Sequence, residues 1–323
     1  MQQLIRIRQL LADPSLQVSE QVQPLWSNYG SIIRCFSAKY QKNYIIKIIE
    51  PEHASEHPRG WNSSVSHQRK LHSYQIEAAF YCNYSAFTDP NNKVPNLVAY
   101  EQGERCSLLI MEDLDDAGYF VRKEQGDWGC LKIAIKWLAN FHARFMFNTG
   151  ENLWPTGTYW HLNTRQDELA AMPESPFKQH AIAIDEALSS AKFQTLLHGD
   201  IKFQNLCFHH DGKQVAAVDF QYVGKGSGVK DLAYLIGSCL KADELYELGE
   251  LALEEYIQQL KLGLQKYNIE IQTLDLEHEV RHLYPVAWAD FYRFLLGWNP
   301  ESWKICGYME NMAQQGLDNL GLM

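Results

Sequence analysis

The sequence lacks several features that would each identify a class of protein. Its seven scattered cysteines include no CxxC pair, which argues against a disulfide framework or a thiolate zinc site and favours free thiols in a reducing compartment. No apolar run approaches the roughly 18 residues that a membrane-spanning helix needs. The apolar residues near the start are interrupted by Arg6, Arg8 and Gln9, so we expect no signal peptide and a cytosolic protein.

Basic residues are also scarce relative to acidic ones. Lysine and arginine number 29 against 39 aspartates and glutamates, which gives a formal net charge of −10. A broad basic surface is therefore not expected, and this disfavours nucleic acid and anionic membranes as partners. Apolar material, in contrast, is plentiful. Hydrophobic residues make up 46% of the chain, enough for one large domain or for two lobes.

The hydrophobic pattern predicts an α+β chain with two parts. Strands are predicted at 31–38, 43–49, 96–100 and 107–111, with one helix at 64–84. Beyond a short acidic link at 112–116, helices are predicted at 131–147, at 176–191 and over most of the chain from 231, with a hairpin-like region at 196–218. We therefore expect a small β-rich lobe, residues 1–112, and a larger mainly helical lobe, residues 113–323, with a ligand cleft between them.

Polar side chains suited to phosphoryl transfer follow one another in LLHGDIKFQNLCF and in the strand after it. Transfer from ATP needs a carboxylate near the acceptor hydroxyl and metal ligands on the phosphates. Asp200 is a candidate for accepting or orienting the acceptor proton. Asn205 lies five residues after it and Asp219 nineteen, and both offer oxygen ligands of the kind that Mg²⁺ prefers. A β-hairpin with polar turn residues is the structural alternative.

The pattern H-G-D-x-x-x-x-N, followed by D-F, resembles the aminoglycoside phosphotransferase and choline kinase superfamily. The segments 219–221 and 230–235 are most similar to its ecdysteroid kinase-like branch. The resemblance extends over most of the chain from about Tyr29 to Leu240. It implies a two-lobe protein-kinase-like fold that transfers the γ-phosphate of ATP to a small molecule.

The same resemblance implies roles for individual residues. Asp200 would be the catalytic base, and Asn205 and Asp219 would be the metal ligands. Asp231 would brace the catalytic loop through hydrogen bonds. Lys202 would contact the γ-phosphate, as a lysine does in many protein kinases.

A lysine–glutamate pair for the α- and β-phosphates is expected in the first lobe. Lys47 is the only charged residue in the strand NYIIKII, and a lysine in so apolar a strand needs a partner. Glu77 is the best candidate, because family members carry a similar Tyr-x-x-Glu-x-x-Phe-Tyr stretch, matched here from Tyr74 to Tyr81. The alternative is a lysine and a glutamate that both face water.

Two further contacts with the nucleotide are expected in the first lobe. The turn Ser27 to Ser31 contains one glycine, and its amides and the Ser31 hydroxyl are candidates for approaching phosphate; a plain turn between strands is the alternative. Glu112 belongs to the segment 109–114 at the expected hinge. Backbone groups there would hydrogen-bond adenine whatever the side chains are.

A competing motif, H-E-x-x-H, is present at His278-Glu279-Val280-Arg281-His282. On a helix its two histidines would share a face, as in zinc proteases, and the glutamate could activate water. Pro285 follows closely, so the helix is expected to bend or to start afresh there. With no convincing third ligand in the sequence, we favour a structural role. His53 and His57 are likewise expected to be exposed loop residues.

The acceptor must be recognised by some other part of the chain, and the aromatic-rich stretch 284–294 is the first candidate. Its rings can form a substrate wall that binds cations, or they can fill the core. Asp290 and Arg293 are expected either to pair or to face the acceptor. A small hydroxylated acceptor, neutral or cationic, is expected, with choline or aminoglycoside phosphorylation as the near alternative. An inactive nucleotide-binding pseudokinase is the distant one.

Overall fold

The computed structural model describes residues 2–25, 28–51, 64–103 and 105–322. The chain divides into two compact units: Met1–Phe87 with Val94–Phe120, and Thr88–Lys93 with Val121–Met323. The lobe boundary expected after residue 112 stays a prediction. Ser27 of the candidate phosphate turn, together with His53 and His57, lies outside the described residues.

The first unit is built on a five-stranded antiparallel sheet in the order β1-β2-β3-β5-β4. Its strands are β1 (Gln17–Pro24), β2 (Gly30–Ser37), β3 (Lys42–Ile49), β4 (Leu97–Glu101) and β5 (Ser107–Glu112), and its helices are α1 (Gln2–Leu10) and α2 (Ser64–Asn83). Four of the strands and α2 match the predicted pattern. We did not predict α1 or β1. The residues of β1 are all exposed, so no apolar alternation marks this strand in the sequence.

Alternation along β3 sends neighbouring side chains to opposite faces of the sheet. Ile46 and Ile48 belong to a buried cluster with Ile7 of α1. Ile49 lies in a second cluster with Tyr74 of α2. Because successive strand residues face opposite sides, Lys47 shares its face with Ile49 and is directed towards α2.

The second unit is mainly helical, with two small sheets. Its helices are α3 (Trp128–Arg144), α4 (Gln166–Ala171), α5 (Pro176–Gln179), α6 (Ala181–Ser189), α7 (Val229–Cys239), α8 (Ala242–Lys266), α9 (Thr273–Trp298) and α10 (Gly307–Asn319). Its strands are β6 (Gln194–Leu197), β7 (Leu206–Phe208), β8 (Val215–Ala217) and β9 (Gly224–Ser227). Among the described residues, no helix is long and apolar enough to cross a membrane.

Three predicted elements differ in detail from the structure. The helix expected at 176–191 is divided into α5 and α6 at His180. The hairpin expected at 196–218 is narrower, because β7 pairs with β8 whereas β6 pairs with β9. Helix α9 continues through Pro285, where we expected a bend or a fresh start. Proline removes one helical hydrogen bond, and packing of the buried residues around it compensates for that loss.

Candidate active site

The loop between β6 and β7 holds Asp200 in a nearly buried position, with 9% of the residue exposed. The Tyr234 hydroxyl donates to Oδ1 of Asp200 at 2.8 Å. On the other oxygen, Oδ2 accepts from Lys202 Nζ at 3.0 Å and from Asn205 Nδ2 at 3.2 Å. Three donors therefore orient the Asp200 carboxylate: the tyrosine contacts Oδ1, and the lysine and the asparagine contact Oδ2.

The backbone of this loop is held by Asp231, in the first turn of α7. Its buried carboxylate accepts the N–H of His198 at 2.6 Å and the N–H of Gly199 at 3.0 Å. Gly199 has a φ of +82°, and a Cβ there would come within 2.1 Å of the Tyr222 carbonyl oxygen. The turn therefore requires glycine before Asp200. The contacts match the bracing role expected of Asp231.

His198 shapes the loop rather than facing a ligand. Its ring is fully buried, with Nε2 donating to the Val218 carbonyl at 3.0 Å and Nδ1 accepting the N–H of Asp200 at 3.3 Å. Burial lowers the pKa of His198, so the ring stays neutral in this arrangement. It also packs on Phe220, with ring centroids 4.5 Å apart.

The two candidate metal ligands, Asn205 and Asp219, flank the paired strands β7 and β8. Leu206 of β7 lies opposite Ala217 of β8, and the N–H of Val218 donates to the Asn205 carbonyl at 3.0 Å. Asn205 Nδ2 also donates to the Asp200 backbone carbonyl at 2.7 Å, which directs the amide oxygen away from Asp200. The pairing of β7 with β8 therefore brings Asn205 beside the residue that precedes Asp219.

Asp219 has an unusual backbone for a residue other than glycine, with a φ of +68°. Such a conformation is costly and is found at functional sites more often than elsewhere. One carboxylate oxygen accepts from Gln221 Nε2 at 2.5 Å. Two oxygen ligands completed by phosphates and water are the usual environment of Mg²⁺, and the side chains of Asn205 and Asp219 fit that ion.

Lys202 pairs with Asp200 while remaining accessible, with 32% of its side chain exposed. Burial is the largest influence on the pKa of Lys202 and lowers it, but Asp200, with smaller contributions from Asp219 and Tyr222, raises it, and the net pKa lies above its ordinary value. The ammonium group is therefore charged at neutral pH. Its expected contact with the γ-phosphate stays a prediction.

In the first unit, the structure brings Lys47 and Glu77 together. Their side-chain atoms Nζ and Oε2 lie 2.6 Å apart, and both residues are at least 97% buried. The Lys47 ammonium also lies 5.4 Å from the centre of the Tyr74 ring. The pair thus exists as expected from the apolar strand, and its role towards nucleotide stays a prediction.

Ser31 and Glu112, the other candidates for nucleotide contacts, are both strand residues. Ser31 lies in β2 opposite Ile48 of β3, half-buried, one residue after Gly30. Gly30 has a φ of +136°, and a Cβ there would come within 2.0 Å of the Ile48 carbonyl oxygen, so the turn before Ser31 requires glycine. Glu112 ends β5, and its N–H already donates to the Asn96 carbonyl at 2.9 Å. Both assignments stay predictions.

The H-E-x-x-H motif lies on one continuous helix, but its side chains do not form a metal site. His278 and His282 are exposed, with parallel rings 6.5 Å apart. Glu279 is used elsewhere, since its two carboxylate oxygens accept the N–H groups of Lys192 and Phe193, each at 2.9 Å. Within the described residues, no group of three His, Cys, Asp or Glu side chains could hold a metal ion.

The aromatic stretch of α9 is mostly core. Asp290 and Arg293 form a buried pair with 2.5 Å between Arg293 Nη2 and Asp290 Oδ1, and Lys230 lies 3.1 Å from the other oxygen of Asp290. The pairing alternative was therefore the right one for these two residues. Trp160 also donates to Asp290, at 3.0 Å.

Two residues next to Asp200 were not assigned by sequence reasoning. Tyr234 lies three residues after Asp231 on α7, and that helical spacing, which places both on one face, was the signal available. Lys304 lies between α9 and α10, with its ammonium 4.7 Å from the centre of the Tyr234 ring. No motif marks Lys304, because the contact depends on how the last two helices pack.

Comparison with known proteins supports the resemblance seen in the motifs. The model of the ecdysteroid kinase-like family matches residues 158–269, about a third of the chain. This segment includes Asp200, Asn205, Asp219, Asp231 and Tyr234. The predicted resemblance to this family is confirmed there. No curated protein matches the chain.

Solved structures provide a second comparison. An ethanolamine kinase of Plasmodium vivax is 14% identical, with a TM-score of 0.50, over 95% of this chain and 82% of that one. An aminoglycoside phosphotransferase of Streptomyces rimosus, in complex with ADP and streptomycin, is 14% identical, with a TM-score of 0.47, over 89% of this chain and 99% of that one. The predicted kinase-like α+β fold is confirmed by the first of these.

Proposed function

We propose that this protein is an ATP-dependent phosphotransferase that acts on a hydroxyl group of a small molecule. The observation that carries the proposal is the environment of Asp200, a nearly buried carboxylate oriented by Tyr234, Lys202 and Asn205. Each of these contacts is of a type that positions a general base. The family match over the same segment supports the proposal independently.

The residues around Asp200 divide the work of the reaction. As the acceptor oxygen bonds to the γ-phosphorus, its proton passes to Asp200, the bond to the β-phosphate oxygen breaks and ADP leaves. Tyr234 would orient the carboxylate through its hydrogen bond to Oδ1. Burial and the charge of Asp200 raise the pKa of Tyr234 well above its usual value, so its hydroxyl remains a donor throughout. Lys202 offsets negative charge beside Oδ2.

Asn205 and Asp219 would hold Mg²⁺ through an amide oxygen and a carboxylate. When bound, the ion neutralises charge on the phosphate oxygens. Lys47 would hold the α- and β-phosphates. Glu77 would keep the Lys47 side chain in position, since Lys47 Nζ and Glu77 Oε2 lie 2.6 Å apart. Each of these residues is thereby assigned a separate task in the proposed reaction.

Turnover with a panel of hydroxyl compounds tests the proposal. The purified chain, with Mg-ATP, should release ADP in the presence of at least one compound and add one phosphate to it, detected by mass spectrometry. Asp211→Asn is the matched control, because Asp211 lies on the exposed turn between β7 and β8 and should keep full activity. Asp219→Asn should lose activity and Mg-dependent nucleotide binding.

Two outcomes would contradict the proposal in different ways. Nucleotide binding without any phosphorylated product over a broad panel would favour a pseudokinase that serves as a binding module. No binding of nucleotide, with or without Mg²⁺, would contradict both functions.

A further inference from the structure

Lys304 places a positive charge on the aromatic face beside the proposed base. Its Nζ lies 4.7 Å from the centre of the Tyr234 ring, 5.7 Å from that of Phe291 and 6.0 Å from that of Trp303. Nζ also donates to Ser238 Oγ at 2.8 Å. In the described part of the chain, no carboxylate forms an ion pair with Lys304, so aromatic faces and one hydroxyl are its partners.

The position of this ammonium relative to Asp200 follows from Tyr234. The Tyr234 hydroxyl donates to Oδ1 of Asp200, and Lys304 lies over the same ring. The opposite oxygen, Oδ2, contacts Lys202 and Asn205, the residues proposed to act on phosphate and metal. An acceptor would therefore approach Asp200 from the Oδ1 side, next to Tyr234 and Lys304.

The pKa of Lys304 is consistent with a position near Asp200. Burial lowers the pKa of Lys304 to about 8; the Asp200 carboxylate acts in the opposite direction, and the Lys202 ammonium adds a smaller lowering. The lysine is thus mostly charged at neutral pH, and its charge acts on Asp200. A half-buried charge of this kind is stabilised by the aromatic groups around it, which compensate for part of the lost water.

A cationic acceptor would need the aromatic faces that Lys304 already occupies. Quaternary and primary ammonium groups bind on the faces of tyrosine and tryptophan, and here an internal ammonium takes that place. An acceptor with its own positive charge would also meet a like charge close to Asp200, where effective screening is weaker than in water.

We infer that Lys304 determines the charge selectivity of the acceptor site, so that the site accepts hydroxyl compounds without positive charge and rejects amino alcohols. This inference rests on the proposed function for its meaning in catalysis. It narrows the sequence-based expectation, which allowed a neutral or a cationic acceptor. It also predicts a difference from the ethanolamine kinase whose fold the chain shares.

A binding experiment without turnover tests the inference directly. Tetramethylammonium chloride is titrated into the wild type, Lys304→Met and Lys304→Arg at constant ionic strength, with tert-butanol as the neutral probe of similar shape. Isothermal titration calorimetry measures the affinity, and the change in tryptophan fluorescence, to which the exposed Trp303 near Nζ contributes, provides a second signal. Tetramethylammonium should bind Lys304→Met at least about tenfold more tightly than the wild type or Lys304→Arg, with tert-butanol unchanged.

A turnover experiment then connects the site to catalysis. Choline and its neutral analogue 3,3-dimethylbutan-1-ol are compared as acceptors, and Lys304→Met should shift the ratio of kcat/KM towards choline by about tenfold or more. Lys304→Gln is the second variant if Lys304→Met fails to fold. Thermal unfolding shows whether each variant is folded.

The outcomes separate the two claims. Equal tetramethylammonium affinity in all folded variants would overturn the inference, as would efficient phosphorylation of choline by the wild type. If the binding shift is seen but no variant phosphorylates any hydroxyl compound, the proposed function fails and the cation site at Lys304 stands.

Discussion

Two aspartate–lysine pairs of the second unit have nearly the same geometry and opposite surroundings. Asp200 and Lys202 lie 3.0 Å apart with side-chain exposures of 12% and 32%, whereas Asp290 and Lys230 lie 3.1 Å apart at 0% and 1%. The first pair is partly accessible and adjoins Asn205, a proposed metal ligand. The second is enclosed by Arg293 and Trp160.

The surroundings of the two pairs indicate a chemical role for Asp200 and a structural role for Asp290. Burial raises the pKa of Asp290, but the cations of Lys230 and Arg293 outweigh it and hold the pKa below its ordinary value. A carboxylate fixed in this way cannot take a proton from a ligand, and the group instead holds α7 and α9 together. The nitrogen–oxygen distance does not distinguish the Asp200–Lys202 pair from the Asp290–Lys230 pair, but their exposure to solvent does.

The largest expected effect is on catalysis and concerns the accessible pair. Asp200→Asn should lower kcat by about 10³-fold, because the amide cannot receive the acceptor proton. The free energy of unfolding should fall by only about 1–2 kcal/mol, since the amide oxygen still accepts from Tyr234 and only the contacts of Oδ2 with Lys202 and Asn205 are lost. Steady-state kinetics and nucleotide titration measure both. Equal loss of turnover and nucleotide affinity would mean that Asp200 is misassigned.

The matching change in the buried pair should act on stability instead. Asp290→Asn leaves Lys230 and Arg293 without their carboxylate and should lower the free energy of unfolding by about 3–5 kcal/mol. Chemical denaturation measures the change. Adding Lys230→Met should recover part of it. Retained stability in the single variant would contradict the structural role of Asp290.

The Lys47–Glu77 pair of the first unit should contribute both to stability and to nucleotide binding. Lys47→Met and Lys230→Met each remove the cation of a buried ion pair, and each should cost about 3 kcal/mol of stability. Only Lys47→Met should also weaken Mg-ATP binding, by about tenfold or more. Calorimetric titration of both folded variants makes the comparison. Equal affinities would remove Lys47 from the nucleotide site.

Lys304 differs from these lysines, because no carboxylate of the described residues forms an ion pair with it. Its pKa is lowered from 10.5 to about 8, so the folded protein releases this proton earlier than the unfolded chain does. Folding is therefore penalised below pH 8, and the penalty is relieved as pH rises from about 8 to 10.5. The wild type should gain about 1–3 kcal/mol over this range relative to Lys304→Met. Identical pH profiles of unfolding would show that Lys304 has an ordinary pKa.

Glu279 is the opposite case, a carboxylate that serves backbone amides. Glu279→Gln should cost about 1–3 kcal/mol of stability, because the two carboxylate oxygens accept the Lys192 and Phe193 N–H groups and an amide keeps only one acceptor oxygen. Phosphotransferase activity should be unchanged in Glu279→Gln and in His278→Ala. Protein purified without added metal should contain no stoichiometric zinc, as measured by mass spectrometry. A full equivalent of tightly held zinc would support a metal site at the motif.

Sequence reasoning was most successful where one local pattern determines the surroundings of a residue. Lys47 could be paired with Glu77 because an apolar strand leaves a lysine few alternatives, and the ion pair is present. The H-E-x-x-H motif shows the limit of the same method. Its spacing suits a metal, but the position of Lys192 next to the helix determines what Glu279 binds.

Other features depended on contacts between distant parts of the chain. β1 has no apolar face, and it is a strand only because β2 pairs with it. Lys304 is 70 residues from Tyr234, so no local spacing could bring the two together. Side chains this far apart in sequence meet only through helix packing.

The order H-G-D, Asn and Asp-Phe, with its spacing, determined the predicted chemistry and the expected metal ligands, because a short loop and one strand pair hold all of these residues. Tertiary structure decided which charges remain accessible and which are enclosed. It enclosed Asp290 among cations, left part of the Asp200–Lys202 pair accessible, and placed Lys304 over Tyr234. Burial and the packing of distant helices set electrostatic surroundings, and these are properties that a linear pattern does not contain.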